Sequence, residues 1–143
     1  MESKPLWGQD QICEVFFEMK YELTIDGRFP SYNEYTKIQR GNRYAGNRMK
    51  QEYQRTCAWQ IRKKMRGVRI ESPISVHITC YEDKYNRDLD NVASFFFKVF
   101  LDAMTECKVI QNDNMRHVTK LTAVSARDKR PRVEVVIEED NNG

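Results

Sequence analysis

The sequence has no apolar run long enough to span a bilayer, no Cys-x-x-Cys pair and only two histidines. The first absence argues against a membrane-embedded protein. Near the N-terminus there is one early cation, Lys4, with no long apolar stretch after it and no small-residue cleavage site. We therefore expect no signal peptide and a cytoplasmic location. Cys13, Cys57, Cys80 and Cys107 are widely spaced, which fits reduced, mostly buried thiols better than a disulfide framework or a zinc site. His77 and His117 have no second ligand at helix or strand spacing, so both read as ordinary strand residues.

One further scarcity is local. Between Lys37 and Arg69 there is a single acid, Glu52, against eleven Lys and Arg residues. That segment carries +10 of a chain whose net charge is +3, which leaves −7 for everything else. A solvated helix face usually mixes both signs in i,i+4 pairs. A stripe of one sign points instead to a polyanion such as nucleic acid.

What is present is enough for one folded domain of 143 residues. Forty per cent of the chain is hydrophobic, with seven Phe, seven Tyr and two Trp, so a sizeable core is expected. Residues 1–18 read as an extension, in which Gln9 to Glu18 suits a short amphipathic helix, although Met19 would make an equally good start. Tyr21–Ile25 alternates like a strand and ends in Asp26-Gly27, a turn. Pro30 argues against regular structure from Gly27 to Tyr35, and Arg40 to Tyr44 reads as a loop combining cations, amides and an aromatic ring.

From Asn47 to Met65 the apolar period is helical. Met49, Tyr53, Cys57, Ile61 and Met65 recur every four residues and Trp59 broadens the stripe, with Asn47 as N-cap and Gly67 as stop. Pro73–Tyr81 alternates like a half-buried strand. A second helix runs from Asn91 or Val92 to about Cys107, with polar positions confined to Asn91, Ser94, Lys98, Asp102 and Thr105. A helix so nearly apolar around its circumference is central, and a partner subunit would cover its second face. Gln111 to Asn114 forms a turn. His117–Ala126 and Arg132–Glu138 read as strands joined by a hairpin through Asp128-Lys129-Arg130-Pro131. Residues 141–143 form a frayed tail after a domain covering 19–140. The expected fold is α+β, a small mixed four-stranded sheet with two main helices in the order β-α-β-α-β-β.

The chemistry concentrates in Arg87-Asp88-Leu89-Asp90-Asn91. In an extended segment, carboxylates at i and i+2 point the same way. Two such groups repel unless a cation lies between them. Mg²⁺ accepts this kind of hard oxygen donor and leaves its other positions to water and phosphate. The same residues also favour helix N-caps and first turns, so the pair either caps the helix or holds a metal.

Four segments together resemble the RusA family of Holliday junction resolvases. They are the Asp88-x-Asp90-Asn91 helix start, Leu101-Asp102-Ala103-Met104 within that helix, Asn112-Asp113 after it, and Pro30-Ser31-Tyr32-Asn33 upstream. Arg40-Gly41-Asn42-Arg43-Tyr44 is similar to a loop of the phage-type members. The resemblance covers about Tyr21 to Glu139. It implies an intertwined homodimeric endodeoxyribonuclease of prokaryotic or phage origin that makes paired cuts in four-way DNA with Mg²⁺, Mn²⁺ being able to substitute, and with no small-molecule cofactor. By position, Asp88, Asp90 and Asp113 would be the metal-binding catalytic aspartates, with Asn91 and Asp102 in support.

The resemblance also implies a lysine inside the helix. Counting forward from Asp90 reaches Ser94, whereas counting back from Asp102 reaches Lys98, to which the role is assigned because the four extra residues make about one helical turn. Asn112 departs from the acidic residue usual there. Asn33, Arg40, Arg43, Arg48, Lys50, Arg62, Lys63, Lys64 and Arg66 would bind DNA. Two other readings stay open, a branched-DNA binder without cleavage and a nuclease preferring forks or flaps.

One distance constrains the site. A helix from Val92 to Cys107 is about 24 Å long, and the five residues Lys108 to Asn112 span at most roughly 18 Å. Asp113 therefore struggles to return to its own Asp88 and Asp90. Either the helix is shorter or bent, or Asp113 completes the site of a partner subunit.

Overall fold

The computed structural model describes residues 19–140, so the helix considered for Gln9 to Glu18 and the tail at 141–143 lie outside the described residues. The elements are β1 (Lys20–Asp26), α1 (Tyr32–Gly41), α2 (Arg43–Lys64), β2 (Ile74–Glu82), α3 (Leu89–Glu106), β3 (Val118–Arg127) and β4 (Arg132–Glu139). The strands form one sheet in the order β1-β4-β2-β3. β2 and β3 are parallel, and the other neighbours are antiparallel. This is the mixed α+β fold expected from the sequence, with one helix more.

The extra helix is α1, where Pro30 argued for a loop. Pro30 lies just outside the helix, where its missing N–H costs nothing. Ser31 is the N-cap and forms a capping box with Glu34. The Glu34 backbone N–H donates to Ser31 Oγ at 3.1 Å, and the Ser31 N–H donates to Glu34 Oε1 at 2.7 Å. These bonds satisfy two of the donors that a helix start leaves open.

Asn42 then serves two helices. Its N–H donates to the Ile38 carbonyl and closes α1, while its side-chain oxygen accepts from the N–H groups of Tyr44 and Ala45 and opens α2. The segment from Arg40 to Tyr44 is thus a helix–helix corner rather than a loop, and α2 begins at Arg43 instead of Asn47. Gly46 sits where α2 crosses α1. A Cβ built there would lie 2.9 Å from the Gln39 Cα.

α3 is the crossover between the parallel strands β2 and β3, the connection such a pair requires. Its Phe95, Phe96 and Phe100 are at most 2% exposed. Phe96 stacks on Phe100 at 5.4 Å and meets Phe29 edge-on at 4.9 Å. Burying one such ring contributes about 2–3 kcal/mol. α1 and α2 pack on one side of α3 and the sheet on another. The apolar circumference read as a dimer core is therefore covered by the chain's own elements. That pattern alone does not call for a second subunit.

β3 and β4 do not form the hairpin expected from their adjacency. The segment between them passes the end of β2, where the Asp128 N–H donates to the Glu82 carbonyl and the Gly27 N–H to that of Pro131. β4 enters between β1 and β2, and its Val133, Val135 and Ile137 are buried. β3 is left at the sheet edge, with Leu121 and Val124 exposed. β4 takes the central position, with both of its edges paired and one face, Val133, Val135 and Ile137, buried in the core.

Candidate active site and nucleic-acid interface

The segment carrying Asp88 and Asp90 leaves the end of β2 and is held by Arg87, whose side chain is only 9% exposed. Its guanidinium pairs with both oxygens of Glu82 and donates from Nη1 to Glu34 Oε1 at 2.7 Å. Glu34 Oε1 therefore accepts from Arg87 and from the Ser31 N–H together. The Ser31 backbone bond is the chief reason that the Glu34 carboxyl lies below the ordinary glutamate value; burial opposes the shift, and Arg87 and Arg28 reinforce it. A planar guanidinium with several donors suits this double role. β2, the first turn of α1 and the start of α3 are fixed to one another at this point.

Asp88 takes the N-cap position of α3, yet its side chain makes no capping hydrogen bond. Its carbonyl accepts from the Val92 N–H at 3.2 Å. Asp90 lies in the first turn, and its carbonyl accepts from the Ser94 hydroxyl at 2.7 Å. Both aspartates are exposed and Asn91 is half-buried beside them. Neither carboxylate has a hydrogen-bond or ion-pair partner among the described residues. Two uncommitted carboxylates two residues apart fit the hard oxygen donors that Mg²⁺ takes.

Asp113 sits elsewhere. α3 has 18 residues and is about 27 Å long, so it is not the shorter helix that would have eased the return. After it, the Val109 carbonyl accepts from the Ile70 N–H and the His117 carbonyl from the Ile74 N–H. The turn holding Asp113 is thereby brought to the start of β2. Asp88 follows the end of the same strand, and a nine-residue strand separates its ends by about 26 Å. Among the described residues, no group of three or more His, Cys, Asp or Glu side chains is placed to hold a metal ion.

Lys98 lies eight residues beyond Asp90, about 12 Å along the axis. Its ammonium is 3.9 Å from Asp102, which Lys50 also meets at 3.7 Å. Lys50, read as a DNA contact, is thus turned toward α3.

The other basic residues remain outward. Asn33 is exposed in the first turn of α1, Arg40 lies in the last turn of that helix and Arg43 opens α2. Arg48 lies over the exposed Tyr44 ring at 5.1 Å. Arg62 reaches Glu106 at 3.4 Å, while Lys64 and Arg66 are exposed. Lys63 lies over Trp59 at 4.9 Å. Trp59, which the helical period assigned to the buried stripe, is 58% exposed. Arg87 and Glu34 were the residues that sequence reasoning missed. The Ser31-x-x-Glu34 spacing was the available signal for the second, and nothing local marked the first.

Against known proteins, the sequence profile of the family described as Endodeoxyribonuclease RusA matches residues 27–138. The chain belongs to this family, and it is an endodeoxyribonuclease. The match covers all three helices, β2 and β3, and includes every residue that carried the resemblance. No curated protein matched the sequence. Among the described residues, no helix is long and apolar enough to cross a membrane.

Proposed function

We propose that the protein is a Mg²⁺-dependent resolvase that cuts opposed strands of a four-way DNA junction as a homodimer. The observation that supports this best is the uncommitted state of Asp88 and Asp90. Their carboxylates do not cap α3, and no cation of the described chain pairs with them. Exposed carboxylates left this way at a rigidly anchored helix start are placed to take a hard cation together with a phosphate. Bound there, Mg²⁺, or Mn²⁺ in its place, would bind the scissile phosphate and lower the pKa of the attacking water.

The chain's own residues supply the rest. Asp88 and Asp90 would hold the ion, with Asn91 beside them. Asp113 of the same subunit faces the wrong end of the sheet, so it completes the site of a partner subunit. This makes dimerisation a condition of cleavage and couples two cuts in one assembly. Lys98 is the assigned phosphate cation. Its 3.9 Å contact with Asp102 is a half-exposed pair of little strength, which a nearby phosphate can replace. Arg40, Arg43, Arg48 and the cations at the end of α2 hold flanking DNA backbones, giving an affinity that falls steeply with salt.

The test is nicking of a labelled synthetic four-way junction by wild type and Asp90→Asn, with Mg²⁺ and with EDTA. Paired symmetric cuts that vanish in both controls are expected. Binding without cutting in either Mg²⁺ or Mn²⁺ would make the chain a junction binder instead.

A further inference from the structure

The cations at the end of α2 surround an exposed aromatic ring. Arg55, Arg62 and Lys63 lie four, three and four residues from Trp59, the spacings that share one side of a helix, and Arg66, just past the helix end, lines the same hollow. Two hollows flank the indole. The larger, about 580 Å³, is lined by these four cations together with Met65 and Cys107. The smaller, about 410 Å³, is lined by Arg55, Thr56, Gln60 and the one acid of the segment, Glu52. Among the described residues, Arg55, Lys63 and Arg66 have no carboxylate partner, and Arg62 has only the 3.4 Å contact with Glu106.

The occupant of such a place must present a flat apolar face with negative charge next to it. A nucleotide does both, its base on the indole and its phosphate on the guanidinium groups. A base pair inside a duplex cannot, because its faces are covered by its neighbours and only its edges are open in the grooves. A lipid headgroup or acidic peptide would satisfy the cations and leave the ring unused.

We propose that this face of α2 is a binding site for unpaired DNA, with one base stacked on the face of Trp59 opposite Lys63, which lies over the ring at 4.9 Å, and the adjoining phosphates held by Arg55, Arg62 and Arg66. Cys107, the C-cap of α3, lines the same hollow, so the site lies at the Asp113 end of the molecule. The inference deepens the proposed function and rests on it for the ligand. A single-stranded arm, or a base unstacked at the branch point, is held here while duplex arms bind through backbone contacts alone.

The chain has two tryptophans, Trp7 and Trp59, so Trp7→Phe leaves Trp59 as the only indole reporter. In EDTA, its fluorescence is titrated with oligo(dT), a fork with a single-stranded arm and a blunt duplex. Saturable quenching by oligo(dT) and the fork, with binding but little quenching by the duplex, is expected. Trp59→Ala should weaken fork binding roughly tenfold and leave blunt-duplex binding within about twofold, a difference that general loss of charge or folding would not produce. Equal weakening on all three DNAs, or an unquenched Trp59 on a bound fork, overturns the proposal. So does a Trp59→Ala protein that binds DNA normally but changes its oligomeric state, since the face would then belong to a second copy. Wild-type nicking of a four-way junction in Mg²⁺ runs in parallel. Nicking with no Trp59 response sinks this site alone, and a Trp59 response with no nicking sinks the resolvase reading alone.

Discussion

Arg87 and Glu34 are 53 residues apart in sequence and 2.7 Å apart in the fold. Arg87 immediately precedes Asp88, so the first turn of α1 holds the acidic segment in place. The same guanidinium reaches back to Glu82 at the end of β2. The site therefore depends on a contact that joins β2, α1 and the segment leading into α3.

Removing that guanidinium leaves Glu82 partly buried beside no cation. Arg87→Ala should lower stability by about 2–3 kcal/mol, read from urea midpoints. Cleavage of bound junction should fall by more than junction affinity does, because the carboxylates lose their support while the basic surface stays. A cost under about 0.5 kcal/mol, typical of exposed pairs, would show that the anchor is not needed.

The depressed Glu34 carboxyl gives a pH dependence with a definite sign. A carboxyl whose folded value lies below its unfolded value stabilises the fold above the unfolded value, and that contribution is lost as pH falls through the folded value. The wild type should therefore exceed Glu34→Gln in melting temperature at neutral pH. The gap should narrow as pH drops below about 4.5, the ordinary glutamate value. A gap that is constant down to acid pH would remove charge from the explanation.

The end of α3 predicts a gain. Lys108 has φ of 62°, the left-handed region that usually calls for glycine. The Val109 N–H donates to the Met104 carbonyl and the Lys108 N–H to that of Thr105, the bond pattern of a Schellman cap. Lys108→Gly should stabilise by about 0.5–1 kcal/mol and leave cleavage unchanged, as a denaturation series with a nicking control would show.

Gly46 predicts the opposite sign from an ordinary helical glycine. Alanine normally improves a helix interior by about 0.5–1 kcal/mol. Here the new Cβ would meet Gln39 Cβ at 2.8 Å and Gln39 Cα at 2.9 Å, and the second is backbone that cannot rotate away. Gly46→Ala should cost about 1–2 kcal/mol by forcing α1 and α2 apart, seen as a lower urea midpoint.

The strands and α3 were legible because their apolar periods are long and unbroken, and the acidic segment stood out from spacing alone. α1 was obscured by Pro30, since a proline one residue before a capping serine looks the same as a proline inside a loop. The partner of β4 was not legible, because adjacency in sequence favours a hairpin and only the three-dimensional pairing shows that β4 belongs between β1 and β2. Trp59 fitted the helical period loosely, and the period cannot tell which flank of a stripe meets solvent. The length of α3 did announce that Asp113 lies far from its own Asp88.

That separation is tested most directly by mixing two inactive proteins. Asp88→Asn and Asp113→Asn subunits are each expected to fold and bind a four-way junction without cutting it. If Asp113 serves the partner's site, each mixed dimer holds one site with all three aspartates intact. Mixing should then restore Mg²⁺-dependent nicking of one strand. If both residues serve the same subunit's site, every site in the mixture lacks an aspartate. Mixed dimers that exchange subunits and still fail to nick would contradict the shared site.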